Sequence, residues 1–274
     1  MARAARTQRK PKLADHADPY VLYEQSVQDP DTEIEFLKET FECARGRKAL
    51  SLREDFCGTA QVACKWAASA PDCTAIAVDL DPEVLGWGRE HNLDPLPEAV
   101  RRRIQLVEGN VLDAPGEKLD LVIAMNFSYW IFKQRETLRD YFRSVHRALA
   151  ADGMLMLDVF GGSDAYDICT EKRKVNGFTY IWEQAEFDPI SALSTCHIHF
   201  KFRDGSRLER AFSYQWRLWT IPELRELLDE AGFSSTTVLW QGTDEETGEG
   251  NDIFEPAERG EPDPAWIAYI QARP

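Results

Sequence analysis

The sequence predicts an α/β fold, with a doubly wound, mostly parallel sheet of seven strands and an antiparallel β insert. Between about residues 48 and 160, apolar runs alternate with amphipathic segments, as expected for parallel strands covered by helices on both faces. Farther along, three segments show period-2 alternation and are separated by Asp-Pro and Asp-Gly turns, which predicts antiparallel strands. We expect one domain over residues 19–274, with the insert at about residues 176–218, after a disordered basic tail over residues 1–18.

Local patterns justify the individual elements in chain order. A first helix is predicted from residue 32 to residue 46, because Ile34, Leu37 and Phe41 share one face and Gly46 can end it. The parallel strands are predicted in KALSLREDF, CTAIAVDLD, IQLVEGNVLD, LDLVIAMNFSYWIF and MLMLDVFGG. Two further strands, STTVLW and AWIAYIQA, follow a capped helix in TIPELRELLDEAGF and flank a loop-rich acidic segment.

Composition excludes several classes of function. The chain has 274 residues and a net charge of -15, and so acidic a surface repels phosphate backbones, which argues against nucleic acid as a partner. No run approaches the ~18 apolar residues of a membrane span, so we expect no membrane partner. The six cysteines show no CxxC pair or zinc-finger spacing. We expect a cytoplasmic protein without a metal site, either a monomer or a homodimer.

The candidate binding residues lie where the parallel strands end, because ligands of doubly wound sheets bind at the carboxyl ends of the strands. These residues are Glu54, Asp55, Phe56, Cys57 and Gly58 after the first strand, Asp79 and Leu80 after the second, Asn110 and Val111 after the third, and Met125 and Asn126 after the fourth. Asp79 follows the first loop by about 20 residues, the spacing of an acid that accepts hydrogen bonds from ribose hydroxyls. The alternative is a surface acid beside the helix-capping Asp81.

These motifs together resemble the class I S-adenosylmethionine-dependent methyltransferases. In that family the first loop reads acid-x-Gly-x-Gly-x-Gly, and the stretch EDFCGTA places its acid at Glu54 and its middle glycine at Gly58. The segments VDLDPEVL, EGNVLD and LDLVIAMNFSYW resemble the later motifs, in order. The resemblance implies S-adenosylmethionine as cofactor, bound by the strand-end residues, with Asn110 near the adenine amino group and Val111 beside the ring. It also implies that the segment containing Tyr20 and Tyr23 folds over the donor site.

The first loop departs from the family pattern at two positions. Phe56 replaces the first glycine and Ala60 the third, and Phe56 must either turn into the core or cover the cofactor. Asp55 is an extra acid that could contact the ammonium group of the cofactor. Two alternatives stay open: a dinucleotide-dependent dehydrogenase, whose pyrophosphate requires the missing glycines, and a non-catalytic protein that binds S-adenosylmethionine.

The expected acceptor is a small-molecule amine or hydroxyl compound, because the insert resembles that of small-molecule methyltransferases. The NFSYW stretch lacks the Asn/Asp-Pro-Pro-Tyr/Phe signature of enzymes that methylate base or amide nitrogens, although a protein or nucleic-acid substrate is an alternative. His197 and His199 are candidate catalytic bases if their strand face lines the pocket, or solvent-facing residues if it does not. Tyr129 is a third catalytic candidate and, with Trp130, a candidate wall for the acceptor or a core aromatic residue. Tyr214 and Trp216 share a strand face that either roofs the pocket or packs within the sheet.

Overall fold

The computed structural model of the chain describes residues 11–244, 247 and 250–274. Its helices are α1 (Pro19–Val27), α2 (Pro30–Arg45), α3 (Gln61–Ala68), α4 (Pro82–Gly88), α5 (Glu98–Arg101), α6 (Arg135–Ala148) and α7 (Ile221–Ala231). Its strands are β1 (Ser51–Asp55), β2 (Thr74–Asp79), β3 (Ile104–Glu108), β4 (Leu119–Ala124), β5 (Leu149–Gly161), β6 (Cys169–Val175), β7 (Phe178–Asp188), β8 (Leu193–Phe202), β9 (Arg207–Arg217), β10 (Ser235–Thr243), β11 (Gly250–Pro256) and β12 (Trp266–Arg273). Short 3-10 turns lie at Leu13–His16, Val111–Asp113, Ser128–Ile131 and Ser163–Tyr166.

The central sheet confirms the predicted fold class. Its strand order is β11-β10-β12-β5-β4-β1-β2-β3, and strands β1 to β5 pair in parallel. The connection direction reverses between β1 and β4, so the carboxyl ends of these two strands form the crevice at which such sheets bind ligands. Over the described residues the sheet has eight strands, one more than predicted.

The insert is a separate antiparallel sheet in the order β6-β7-β8-β9. Its start is earlier than predicted, since β6 begins at Cys169 rather than near residue 176. Both strands that the sequence pattern missed, β6 and β11, lie at sheet edges and expose most of their residues. An edge strand with two wetted faces carries no apolar alternation, which is why period-2 reasoning passes over it.

The N-terminal segment packs against the insert from residue 13 onward. Residues 1–10 of the predicted tail lie outside the described residues, whereas Leu13 and Ala14 donate backbone hydrogen bonds to Asp204 and Ser206. Asp18 then caps α1 by accepting the Tyr20 N–H at 2.9 Å. The predicted disorder up to residue 18 is therefore wrong for residues 13–18.

The core fills both sides of the central sheet. On one side, α6 and α7 bury their apolar faces, among them Phe142 and Leu227, against Leu155 and Ile270 of the sheet. On the other side, α2 and α3 bury Leu37 and Trp66. Asp29 caps α2, three residues before the predicted start at Thr32, and the left-handed Gly46 ends it as predicted. No helix of the described residues is long and apolar enough to cross a membrane.

Candidate functional site

The loop after β1 has the backbone of a glycine loop although it has lost most of its glycines. Phe56, Gly58 and Ala60 have φ values of 59°, 54° and 57°, all in the left-handed region. These are the three positions at which the family motif has glycine. For an L residue this conformation costs roughly 1–2 kcal/mol, so the fold retains the loop shape at a cost to stability.

The Phe56 ring packs against other aromatic rings, although its backbone is left-handed. The ring centroid lies 5.8 Å from that of Phe132 and 5.8 Å from that of Tyr141, and the residue also forms part of the wall of a cavity at the sheet edge. Both outcomes considered for Phe56, turning toward the core and bordering the ligand space, are therefore met at once.

A cavity lies at the carboxyl ends of β1, β2 and β4 and has a volume of about 510 Å³. We call it the sheet-edge cavity. Its wall brings together most of the predicted binding residues: Tyr23, Glu54, Asp55, Phe56, Cys57, Gly58, Asp79, Met125 and Asn126. The structure does not bring Leu80, Asn110 or Val111 into this wall. The Leu80 side chain is 69 % exposed, and that of Val111 is buried in the core. Asn110 accepts the Leu112 N–H at 3.0 Å and so caps its own turn.

Asp79 is held rigidly at the edge of this cavity. One carboxylate oxygen accepts the Gly58 N–H at 2.8 Å, and the other accepts the Asp81 N–H at 3.0 Å. Each carboxylate oxygen can accept a second hydrogen bond, so Asp79 still has acceptors for a ligand diol. The loop and the acid were predicted separately from sequence, and the structure links them directly.

The predicted role of Asp55 at a ligand ammonium group is not supported by its geometry. Its carboxylate forms a buried ion pair with Arg53, at 2.9 Å between Nε and Oδ1, and accepts the Tyr141 hydroxyl at 2.9 Å. Side chains alternate along a strand, so Arg53 and Asp55 point to the side of the sheet that α6 covers. The charge of Asp55 is therefore neutralised within the core.

Glu54 points to the opposite side of β1 and reaches α3. Its Oε2 accepts the Ala63 N–H at 2.8 Å, which replaces the cap that Ala60 has no side chain to provide. Glu54 is only 7 % exposed. Burial raises the pKa of Glu54 well above its ordinary value, and the nearby carboxylate of Glu33 raises it further.

Sequence reasoning missed Glu33, a residue of α2 that also lines the sheet-edge cavity. Its Oε1 is buried and has no hydrogen-bond partner among the described residues. Burial raises the pKa of Glu33 to about 8, with Asp158 and Asp29 adding to the effect. The sequence did contain a sign of Glu33. It lies four residues before the buried Leu37 and eight before the buried Phe41, so an acid shares the apolar face of this helix.

The loop after β4 forms the floor between two cavities. Asn126 and Phe127 both have φ near 56°, and the carboxylate of Asp158 accepts their N–H groups at 2.7 and 2.9 Å. Burial raises the pKa of Asp158 to about 7. This carboxyl group thus fixes two successive left-handed residues at the strand end.

Tyr129 is not an acceptor-side residue, and its nomination as a catalytic candidate is not supported. Its side chain has no exposed area, and its hydroxyl donates to the Asp158 carbonyl oxygen at 2.8 Å. Trp130 is equally buried. Neither residue contributes to the wall of either cavity, because the 3-10 turn at Ser128–Ile131 points both rings into the core.

His197 and His199 also lie away from both cavities. Ile198, between them on β8, lines the insert cavity described below, so the two histidines occupy the opposite face. His197 Nδ1 lies 2.8 Å from Ser213 Oγ, and the two ring nitrogens of His199 lie 2.6 and 3.0 Å from Glu209 and Glu183 carboxylate oxygens. Each histidine is only 7 % exposed, so neither the predicted base role nor full solvent exposure describes them.

A second cavity of about 500 Å³, called here the insert cavity, lies between the insert and the central sheet. It shares Tyr23, Asn126, Tyr214 and Trp216 with the wall of the sheet-edge cavity, so the two spaces adjoin. Its other wall residues are mostly apolar or aromatic, and include Phe127, Phe160, Tyr180, Trp182, Ile198 and Trp266. Tyr214 and Trp216 therefore cover the pocket, which is the first of the two interpretations given for their strand face.

Helix α1 closes over the sheet-edge cavity. Glu24 accepts hydrogen bonds from Thr59 at 2.6 Å and from Asn92 at 2.7 Å, so α1 is tied to the loop that follows β1. The Tyr23 side chain is hydrogen-bonded to the Tyr214 side chain of the insert. Burial raises the pKa of Tyr23 to about 12. The segment containing Tyr20 and Tyr23 thus covers the cavity, as the resemblance implied.

Comparison with known proteins finds a methyltransferase domain and a fold shared with solved methyltransferases. Residues 57–155 match the family model described as a methyltransferase domain. YqeM of Bacillus subtilis (strain 168), which is named as a methyltransferase, is 24% identical over 197 residues, covering 69% of this chain and 76% of YqeM. The matched segment is a methyltransferase domain, in agreement with the predicted resemblance to the class I S-adenosylmethionine-dependent methyltransferases. The predicted enzyme class and cofactor are confirmed, and the dehydrogenase alternative is rejected.

Solved structures of this methyltransferase fold cover nearly the whole chain. DesVI of Streptomyces venezuelae has a TM-score of 0.68 and 19% identity, covering 95% of this chain and 98% of DesVI. CalS10 of Micromonospora echinaspora, an amino pentose methyltransferase solved with S-adenosylmethionine bound, has a TM-score of 0.65 and 16% identity. That match covers 94% of this chain and 98% of CalS10.

The charges of the sheet-edge cavity fit the cofactor of this methyltransferase. Its wall contains the carboxylates of Glu33, Glu54, Asp55, Asp79 and Asp81, and no Lys, Arg or His stands among the described wall residues. S-adenosylmethionine carries a sulfonium and an ammonium group and no phosphate. An acidic cavity with an unpartnered buried carboxylate oxygen suits such a cation and opposes a pyrophosphate.

Proposed function

We propose that this methyltransferase binds S-adenosylmethionine in the sheet-edge cavity and methylates the nitrogen of a small-molecule amine held in the insert cavity. The observation that carries the proposal is the wall that the two cavities share, formed by Tyr23, Asn126, Tyr214 and Trp216. A donor in one cavity and an acceptor in the other would both lie against these four residues, which places their reacting atoms near each other. When bound, the cofactor supplies a methyl group already activated on a sulfonium, so alignment provides most of the catalysis.

A small acceptor is supported by the size of the insert cavity. A volume of about 500 Å³ lies within the roughly 300–1,000 Å³ of ligand pockets. The cavity lies between residues of the insert and residues of the central sheet. The similar fold of an amino pentose methyltransferase adds support for a small acceptor.

An amine is favoured over a hydroxyl compound by the groups available at the shared wall. A hydroxyl acceptor usually needs a general base with a pKa near neutral, whereas a neutral amine presents its own lone pair. The two wall tyrosines are poor bases at neutral pH, because burial raises the pKa of Tyr23 to about 12 and that of Tyr214 well above its ordinary value. The proton of the methylated ammonium product leaves to solvent.

The insert cavity also has the features of a site for an amine that binds as an ammonium group and loses one proton to solvent before its nitrogen attacks the methyl group. Tyr214 and Trp216 stack with centroids 4.7 Å apart, and Trp182 continues the row at 5.8 Å from Trp216. Aromatic faces attract ammonium groups. Asp164 and Glu171 are exposed acids at the rim, and no Lys, Arg or His is present among the described residues of the wall.

The test is a comparison of matched acceptors. Purified enzyme with S-adenosylmethionine is given primary and secondary amines and the alcohols of the same carbon skeletons, with a peptide mixture and an oligonucleotide as macromolecular substrates. S-adenosylhomocysteine formation is measured together with the mass of the methylated product. We expect turnover of amines, with a higher KM when Trp182→Ala opens the aromatic row. Preferred turnover of alcohols, peptide or oligonucleotide over every amine contradicts the proposal.

A further inference from the structure

Two acids, the half-buried Glu33 and the buried Glu54, line the sheet-edge cavity without a cation of their own. Glu33 comes from the first turns of α2 and Glu54 from the end of β1, so they reach the cavity from different elements. Glu54 uses one oxygen to cap α3, at 2.8 Å from the Ala63 nitrogen. Glu33 Oε1 is fully buried and lacks a partner among the described residues. A buried polar atom of this kind is ordinarily satisfied, so the pair has the character of a site prepared for a donor.

The groups that surround the pair add negative charge rather than positive charge. Asp29 precedes Glu33 in the turn before α2, Asp79 faces Glu54 from β2, and Asp158 acts on Glu33 from β5. The phenols of Tyr23 on α1 and Tyr269 on β12 also interact with Glu33 and stay neutral. The buried cation at β1, Arg53, is already paired with Asp55 at 2.9 Å.

Two neighbouring carboxyl groups in a desolvated cavity cannot both ionise without a positive counter-charge. In the free enzyme the Glu33–Glu54 pair therefore holds a proton near neutral pH. The pKa of Glu33, raised to about 8 by burial and by these acids, agrees with this geometry. A ligand ammonium group brings three N–H donors and one positive charge, and it can replace that proton.

We propose that Glu33 completes, beside Glu54, the site for the ammonium group of the cofactor, and that the pair releases a proton to solvent as this cation binds. No bond other than O–H is broken, and the ammonium group takes the place of the proton as the balancing positive charge. This proposal rests on the cofactor and is independent of the acceptor. Affinity for the cofactor then rises with pH, by up to about tenfold per pH unit below the pKa of the pair.

The first test uses the wild-type enzyme and two probes. S-adenosylhomocysteine carries the ammonium group, and 5′-methylthioadenosine has the same adenosine and sulfur but lacks the amino-acid portion. Each is titrated calorimetrically near pH 6.5 in buffers of different ionisation enthalpy, which gives the number of protons released. We expect release approaching one proton with S-adenosylhomocysteine and none with 5′-methylthioadenosine. Binding of S-adenosylhomocysteine without proton release overturns the proposal.

The second test separates Glu33 from its neighbours. In Glu33→Gln, we expect the affinity for S-adenosylhomocysteine to fall ~10- to 100-fold, as for a lost charge-assisted hydrogen bond, and the proton release to fall toward zero. Affinity for 5′-methylthioadenosine should be unchanged, which also shows that the variant is folded. Glu35→Gln, on the exposed face of the same helix, is the matched control and should behave as wild type. Equal loss of both probes in Glu33→Gln contradicts a specific ammonium site, and failure of wild type to bind either probe contradicts the cofactor cavity itself.

Discussion

The two adjoining cavities are built by different means. The sheet-edge cavity is formed by strand ends and loops, and its key acid, Asp79, is fixed by backbone N–H groups of Gly58 and Asp81. The aromatic row of the insert cavity is formed by side chains of a separate antiparallel sheet, such as Trp182 and Tyr214. The main chain thus fixes the position of the key acid in the first cavity, whereas the second can change by substitution of side chains alone. Substitutions in the two cavities should therefore have separable effects.

The largest expected effect is that of Asp79→Ala on cofactor binding. The substitution removes the predicted acceptor of the ribose hydroxyls and leaves the N–H groups of Gly58 and Asp81 without partners. Two or more lost hydrogen bonds to a charged group, at about 1.5–3 kcal/mol each, predict at least ~100-fold weaker binding of S-adenosylhomocysteine by calorimetry. Asp72→Ala, near the opposite end of the same strand, should bind as wild type. Near-normal affinity in Asp79→Ala contradicts the ribose role.

Trp182→Ala tests whether the effects do separate. Loss of one ring from the aromatic row should raise the KM for an amine acceptor by about tenfold, since cation–π contacts contribute roughly 1–2 kcal/mol when desolvated. The calorimetric Kd for S-adenosylhomocysteine should stay at the wild-type value, because Trp182 is absent from the described wall of the sheet-edge cavity. Lys201→Ala, exposed on the opposite face of the same insert, serves as control and should leave both constants unchanged. A parallel loss of cofactor affinity in Trp182→Ala shows that the cavities are coupled.

The acidity of the sheet-edge cavity predicts a pH-dependent stability difference in the free enzyme. The folded pKa of Glu33 is about 8, against an ordinary value of 4.5, so folding favours its protonated form. The stabilising effect of that proton is fully present below pH 4.5 and is lost as pH rises through 8. Glu33→Gln has no such proton to lose. Its free energy of unfolding relative to that of wild type should therefore increase between pH 5 and pH 8 by at least ~1.4 kcal/mol, the equivalent of one pKa unit.

Urea denaturation at a series of pH values measures this difference. In Glu35→Gln, whose glutamate is exposed on the same helix, the difference from wild type should not change with pH. A constant difference for Glu33→Gln as well indicates that Glu33 ionises as it does in water. The outcome does not depend on any ligand, so it tests the electrostatics of the cavity separately from cofactor binding.

The same contrast explains which parts of the site could be predicted from sequence. Asp79 and Gly58 were predicted because they follow buried strands at fixed spacing, and backbone geometry then places them together. Asp55 was misassigned because the pattern fixed its position after β1, but the partner that neutralises it, Tyr141, lies 86 residues away. Asn110 lies outside the described wall of the cavity for a local reason, since its side chain caps its own turn.

The remaining misassignments come from side chains whose orientation depends on tertiary packing. Glu33 lies on α2, outside the motifs, and reaches the cavity only because that helix packs beside β1. Alternation along β8 placed His197 and His199 on one face, but it could not tell which face meets the central sheet. The fold class was predictable because burial periodicity repeats over many residues, whereas the exposed edge strands β6 and β11 carry none.

The smallest expected effect tests the main-chain origin of the sheet-edge cavity. Gly58→Ala places a Cβ where no atom lies within 4 Å, so its cost arises from the left-handed φ of 54° alone and should be about 1 kcal/mol in the free energy of unfolding. Ala60→Gly, at φ 57°, removes the strain of a left-handed alanine but increases the entropy of the unfolded chain. Because these two effects oppose each other, the free energy of unfolding should change by less than ~1 kcal/mol and should not fall. Both are measured by urea denaturation. A loss of stability in Ala60→Gly equal to that in Gly58→Ala is incompatible with a strained glycine-type loop, and the alanine side chain would then be contributing through packing in the core.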